Sequence, residues 1–320
     1  MRTMKLDTVR AKLVFVVGGA VLSCGDGTVR IVDGSTPEPS ARSFPMCDPK
    51  SDFGGEKQLP GLEAVPSFGF DFDYWIDATL TDDEAHIYFS ACATSRSRAC
   101  MLMHATFDES GAATNLSPTG TESSKSIRHP TISADRSTIV WVEDAGRANR
   151  VFIAARDGRS SYDNDFSERR EVLVLPKEEN LRYADPYIGR DRRLYLMLGP
   201  SSGTSTLHSV AMGSLGDTAN TKVVDATLTG TNPVADGGPS MFMGRYDANT
   251  GLRSIVSSER DASGKFAAPS PKYVASLNAP GTSNYPTWVS KDGCRLYFTR
   301  GNKDDITSYR VWMASRKAKP

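Results

Sequence analysis

Five stretches of this chain share one form, and the repetition restricts the fold more than any other feature. They are "DATLTDDEAHIYFSA" (77–91), "HPTISADRSTIVWVE" (129–143), "DPYIGRDRRLYLML" (185–198), "NPVADGGPSMFMG" (232–244) and "YPTWVSKDGCRLYFT" (285–299). Each runs from a polar or aromatic residue, usually through proline, into a short strand, an Asp-centred turn and an apolar–aromatic–apolar strand. With Ala78, Pro130, Pro186, Pro233 and Pro286 equivalent, the spacings are 52, 56, 47 and 53 residues. A unit of this size cannot bury an apolar face alone and must stack on its neighbours.

A third strand of shared shape follows each copy: "CMLMHATF" (100–107), "RVFIAARD" (150–157), "LHSVAMG" (207–213), "RSIVSSERD" (253–261) and "RVWMASRK" (310–317). A weaker fourth follows in four copies, as in "REVLVLP" (170–176), "KVVDATL" (222–228) and "GKFAAPSPKYVASL" (264–277). Four short strands at this period make an antiparallel β-propeller blade. The expectation is an all-β, five-bladed propeller over residues 52–320, with blades starting near 77, 129, 185, 232 and 285. Six blades is the alternative, with a degenerate blade inside 25–76. The last copy ends after its third strand, so "DFGGEKQLPGL" (52–62) is expected to supply the fourth and close the ring. Closure removes the open edges that invite aggregation.

The motifs "PTISAD" (130–135) and "VSKDGCRLYFTR" (289–300) resemble the TolB-type propeller repeat: Pro, two residues, Ser, any residue, Asp-Gly, then a strand ending in an aromatic and small residues. The resemblance covers residues 53–320, though Gly follows the turn Asp only at Asp236 and Asp292 and copy four is two residues short. It implies a binding or scaffold propeller, often periplasmic, and no particular reaction. The chain is read as lacking the Gly-x-Ser-x-Gly elbow and the hydrolase domain of the peptidases that carry such propellers.

The N-terminus sets an address. Arg2, Lys5, Arg10 and Lys12 precede the apolar "LVFVVGGAVL" (13–22), which is too short to span a bilayer as a helix. It ends in "VLSC", which resembles the lipobox of bacterial lipoproteins, with Cys24 as the lipidated residue. The expected organisation is a signal peptide (1–23), a Gly/Ser/Pro/Asp-rich tether (24–51) and the propeller, exported and anchored in the bacterial envelope by its lipid. Beyond residue 23 the chain holds 34 basic and 37 acidic residues, which argues against nucleic acid as a partner.

An oxidising compartment lets the remaining cysteines be read as pairs. Cys92 and Cys100 flank the seven-residue "ATSRSRA" of a hairpin. Cys47 precedes the closing strand and Cys294 opens a strand of the blade it would join, so the expected bonds are Cys92–Cys100 and Cys47–Cys294.

The residues before the repeat proline are Asp77, His129, Asp185, Asn232 and Tyr285. The first strand of each blade lies innermost, so these five are expected to ring the channel mouth as a ligand site; as plain turn caps they would only solvate it. Asp77 and Asp185 also admit a glycoside hydrolase, although no Glu stands at an equivalent position. His86, His104 and His208 show no ligand spacing with His129, and "DNDFSE" (163–168) lacks the Gly and Glu of a calcium loop. No metal or cofactor is therefore expected. The four tryptophans are expected to pack between blades. The functional expectation is a monomeric envelope module that binds a protein, peptide or peptidoglycan/glycan ligand.

Overall fold

The alternating strands pair as the repeats require. In this computed structural model the described residues are 16–17, 20–25, 28–32, 44–64, 72–94, 100–119, 126–144, 149–156, 166–173, 181–200, 205–215 and 222–319. A small unit holds an antiparallel sheet of β1 (Val16–Val17), β2 (Ala20–Gly25) and β3 (Thr28–Val32), in which Cys24 pairs with Val29. The side chains of this unit, Cys24 included, lie outside the described residues.

The large unit is a five-bladed propeller. Blade one is β5 (Tyr74–Leu80), β6 (His86–Cys92), β7 (Cys100–Phe107) and β8 (Ala113–Pro118), in that spatial order. Blade two is β9 (Ile127–Ile132), β10 (Thr138–Asp144), β11 (Asn149–Arg156) and β12 (Phe166–Leu173). Blade three is β13 (Leu181–Ile188), β14 (Arg193–Pro200), β15 (Thr206–Ala211) and β16 (Lys222–Thr229). Blade four has three strands, β17 (Thr231–Ala235), β18 (Ser240–Asp247) and β19 (Leu252–Glu259). Blade five is β20 (Thr282–Val289), β21 (Arg295–Asn302) and β22 (Asp305–Arg316), completed by β4 (Phe53–Gln58) against β22. The N-terminal strand thus closes the ring as expected.

Blade four departs from the expected four strands. Its outer edge is covered by an irregular segment that touches β19 through isolated bridges Ser257↔Ser270 and Arg260↔Phe266. Where no strand lies, the Asn278 amide replaces one: Ile255 N–H donates to its Oδ1 (2.7 Å) and its Nδ2 donates to Ile255 O (2.9 Å). The backbone edge is satisfied without a regular ladder.

The cores lie between blades. One cluster joins Ile87, Phe89 and Met103 of blade one to Trp288 and Tyr297 of blade five. Another joins Tyr88 and Leu102 to Ile132 and Trp141 of blade two, and a third joins Val140 and Val151 to Leu194 and Leu196 of blade three. Trp75, Trp141 and Trp288 are buried, in keeping with interblade packing.

The turns after the inner strands explain why Gly is present in only two copies. The same turn position has φ near +60° throughout: Glu84 (54°), Arg136 (60°), Arg192 (60°), Gly237 (82°) and Gly293 (69°). In three blades a charged residue accepts that backbone strain, and two of these turns reach across the ring. Glu84 pairs with Arg295 of blade five (2.6 Å). Beside Arg192, Arg190 of blade three donates to Asp82 of blade one (2.9 Å), Val289 O of blade five (3.1 Å) and Ala235 O of blade four (3.4 Å). Arg190 therefore ties four blades together where the inner strands end.

Within the segment read as tether, the chain from Phe44 onward packs on blade five. Phe44 lies on the Arg295 guanidinium (3.8 Å), Cys47 bridges Ala318, and Lys319 N–H donates to Met46 O (2.9 Å). Cys47 and Cys294 are joined by a disulfide, as are Cys92 and Cys100.

Candidate functional site

A β-bulge builds the site, and it recurs in four blades. In blade one Ile76 pairs with Ser90 and Thr79 with Tyr88, so Asp77 and Ala78 stand opposite Phe89 alone. The same two-against-one pattern sets His129-Pro130 against Trp141, Asp185-Pro186 against Leu196 and Asn232-Pro233 against Met243. The first bulge residue is left-handed each time: Asp77 φ 58°, His129 51°, Asp185 54° and Asn232 51°. Asp, Asn and His are the non-glycine residues most tolerant of this region, at a cost of about 1 kcal/mol or more each.

The fifth position differs. Tyr285 pairs regularly with Thr299, and the blade-five bulge lies at Thr287, between Pro286 and Trp288. The structure thus brings four of the five expected residues together and holds Tyr285 outside them. A tyrosine is poorly suited to a left-handed bulge, and its hydroxyl instead accepts from Arg253 Nη1 (3.0 Å). The four lie within the inner strands rather than at their starts.

Side chains of one blade cap the bulge of another. Asp77 N–H donates to Thr299 Oγ1 (3.1 Å), His129 N–H to Asp77 Oδ2 (3.4 Å) and Asn232 N–H to Asp185 Oδ2 (3.0 Å). Both aspartates therefore stabilise the ring as well as lining it. Between them sits His129, with Nδ1 3.3 Å from Asp77 Oδ2 and 3.2 Å from Asp185 Oδ1. Since both distances meet at one nitrogen, these oxygens are within about 6.5 Å of each other. Asn232 Nδ2 approaches the same nitrogen at 3.5 Å.

Burial alone would discharge the imidazole, but the Asp77 and Asp185 carboxylates outweigh it and raise His129 to about 9. Burial likewise works against the Asp77 carboxylate, while the His129 charge, hydrogen bonds from His129 and the Arg128 charge hold it below its ordinary value. At neutral pH the centre is an imidazolium between carboxylates. These side chains line a small cavity of about 20 Å³, together with Pro130, Pro186, Pro233, Pro286, Tyr187, Val234 and Thr287. Tyr187 donates to Ala235 O (2.6 Å), and burial, the leading cause, pushes its phenol up to about 12. Thr287 Oγ1 is buried with no hydrogen-bond partner among the described residues.

Sequence reasoning misses Thr287, Thr299 and Thr131, whose Oγ1 accepts from Ile188 N–H (2.9 Å); their positions, just after the repeat proline or on the adjoining strand, carry no pattern that marks them. The other histidines stand apart from the cavity. His86 and His104 contact each other inside blade one (3.0 Å), and His208 contacts Thr206 (3.0 Å). No cluster of three or more metal-ligating side chains occurs among the described residues. One Gly-x-Ser-x-Gly string does occur, "GPSSG" (199–203), contrary to the sequence reading. It falls between strands β14 and β15, whereas a nucleophile elbow leads from a strand into a helix.

No protein-family model matches the chain, and no curated protein sequence matches it. Among solved structures it is similar to the catalytic domain of a GH62 α-L-arabinofuranosidase from Coprinopsis cinerea, at 11% identity and a TM-score of 0.56, covering 83% of this chain and 97% of that one. The α-L-arabinofuranosidase PaAbf62A from Podospora anserina, solved with cellotriose, gives 12% identity and a TM-score of 0.56 over 84% and 98% of the two chains. A TolB protein from Agrobacterium tumefaciens aligns over 75% and 76% of the chains at 11% identity and a TM-score of 0.44. At such identities the likeness is one of fold.

Proposed function

We propose that this chain is an exported, lipid-anchored propeller of the bacterial envelope that binds a polar ligand in the channel cavity, as a recognition or scaffold module without catalysis. The observation that carries this reading is His129, a half-buried imidazolium fixed by two carboxylates from other blades on four strained bulges. Four of the nine positive-φ non-glycine residues among those described line this one concave site, and backbone strain in such a site is a mark of function. His129 makes its described ring contacts through Nδ1, which leaves Nε2–H to meet a ligand. The cavity offers charged donor, carboxylate, amide and hydroxyl within one small space, a set suited to hydroxyl or amide groups.

A glycoside hydrolase is the second reading, favoured by the convergence of Asp77 and Asp185 and the fold likeness to arabinofuranosidases. Against it, no Glu lines the cavity, and Asp77 is held ionised and so is not poised to protonate a leaving group.

The test is crosslinking of wild type and His129→Gln in the native envelope, read by mass spectrometry, beside turnover on arabinan and xylan substrates. A crosslinked partner or cell-wall fragment lost in a folded His129→Gln variant, with no turnover, is expected. Turnover abolished by Asp77→Ala would replace this reading with the hydrolase.

A further inference from the structure

From the blade-five wall of the cavity a strip of alternating rings and guanidinium groups runs outward. Arg253 on β19 lies between two tyrosine rings, its Cζ 5.8 Å from the centroid of Tyr246 and 5.1 Å from that of Tyr285. Tyr285 in turn meets Tyr309 of β22, with centroids 6.0 Å apart. Next to Tyr309, Arg310 lies over Trp75 of β5 at 4.5 Å. Tyr285 is adjacent to Pro286 and Trp75 is two residues before Asp77, so two neighbouring strands connect the strip to the cavity lining within a residue or two.

Two features of the strip call for a ligand. Tyr246 is 57% exposed, one of two large apolar side chains so exposed among the described residues. Neither Arg253 nor Arg310 has a carboxylate within ion-pair distance among those residues, although the chain as a whole has as many acidic as basic groups. Arg310 is held by the carbonyls of Thr307 (2.6 Å) and Tyr309 (2.8 Å), and its acidic neighbours Asp305 and Glu63 stay beyond pairing distance. Arg253 has one bond to Tyr285, and its Nε is buried with no partner. A guanidinium held near two rings is pre-organised to take a carboxylate.

We infer that the strip binds the carboxylate-bearing sugars of an acidic glycan chain whose terminal hydroxyl groups enter the His129 cavity. This rests on the reading of that cavity as a ligand site. The tyrosine faces stack on sugar C–H faces, and the guanidinium groups select the acidic units. A peptide is disfavoured because it would need an unpaired strand edge. Here β20, β21 and β22 are paired within blade five, and along the outer edge of β19, which has no partner strand, the N–H groups of Arg253, Ile255 and Ser257 are already taken by Ser283 Oγ (3.2 Å), Asn278 Oδ1 (2.7 Å) and Ser270 O (2.7 Å).

The test is calorimetric titration of the full-length protein in detergent with oligogalacturonate, its neutral methyl ester and oligoglutamate. The acidic glycan is expected to bind about tenfold more tightly than the ester. Arg253→Gln should remove that difference, and Arg253→Lys should restore part of it. Tyr246→Ala, at an exposed site that folding tolerates, should weaken both glycans. His129→Gln should also weaken both while leaving the preference for acid intact. Equal binding of acid and ester would overturn the inference, and with His129→Gln still weakening both it would leave the cavity reading standing. Oligoglutamate binding as tightly as the glycan would overturn it in favour of a peptide. No glycan binding at all would overturn it too, and the cavity reading would then stand or fall on the envelope crosslinking.

Discussion

Glu84 and Arg295, 211 residues apart in sequence, form a two-pronged ion pair across the seam between the first and last blades. Arg295 Nε and Nη2 both donate to Glu84 Oε1 (2.8 and 2.6 Å), Nε also reaches Oε2 (3.0 Å), and the Tyr297 hydroxyl donates to Oε2 (2.9 Å). Both residues are buried. Removing one partner strands the other charge, so Arg295→Leu should cost about 3–5 kcal/mol. Replacing both with apolar residues of similar volume should cost far less. Urea unfolding of the single and double variants checks this; equal losses would mean that the pair itself, not the stranded charge, carries the effect.

The two disulfides close loops of very different length, with sequence separations of 247 and 8. On the chain-entropy account the Cys47–Cys294 bond contributes roughly 5 kcal/mol and Cys92–Cys100 roughly 2.5 kcal/mol. Cys294→Ser should therefore lower the unfolding midpoint about twice as far as Cys100→Ser. It should also speed hydrogen exchange in β4, the strand that Cys47 holds beside β22. Midpoints that fall equally would show that loop length does not set the effect.

His129 gives the fold a pH signature. Burial opposes its charge, but Asp77 and Asp185 hold its folded value at about 9, above the ordinary 6.5. The group thus contributes about 3 kcal/mol below pH 6.5, and this is lost as pH rises through 9. Asp77 is shifted the opposite way, so its share is present above its ordinary 3.8 and lost as pH falls below that value. Unfolding free energy should therefore decline between pH 6.5 and 9, and His129→Gln should flatten that limb. A slope unchanged in the variant would assign it to other groups.

The lipid anchor has a direct test. Cells given labelled palmitate should label the wild-type chain and not Cys24→Ser, which should leave the membrane fraction. Label retained by Cys24→Ser would reject Cys24 as the acylated residue.

The repeat in the sequence was enough to place the blades and the closing strand, because period, turn chemistry and strand alternation are local signals, and both disulfides followed from pairing the remaining cysteines on that frame. The site was half legible. Asp77, His129, Asp185 and Asn232 could be aligned before the repeat proline, yet Tyr285 was aligned with them and does not join them. The residue types held the distinction: Asp, His and Asn accept a left-handed bulge more readily than Tyr does. Thr299 was invisible, because its role arises from blade-to-blade approach. The fourth strand expected of blade four failed for a similar reason. One side chain, Asn278, satisfies the edge that a strand would have covered.

Arg190 offers a final test, because its bonds distinguish one blade from the rest. Its guanidinium reaches Asp82, Val289 O and Ala235 O and lies 5.6 Å from the Trp288 ring centroid, so blades one, four and five meet through a side chain of blade three. The corresponding turn of blade two is held by Arg136 N–H to Ser133 O (2.9 Å) and has no described bond to Arg190. Arg190→Met keeps most of the aliphatic stem and removes the three bonds, at about 2 kcal/mol. Amide exchange should quicken at the turns following β5, β17 and β20 and stay unchanged at the turn following β9. Uniform quickening in all the blades would mean that Arg190 supports global stability alone and does not join these particular turns.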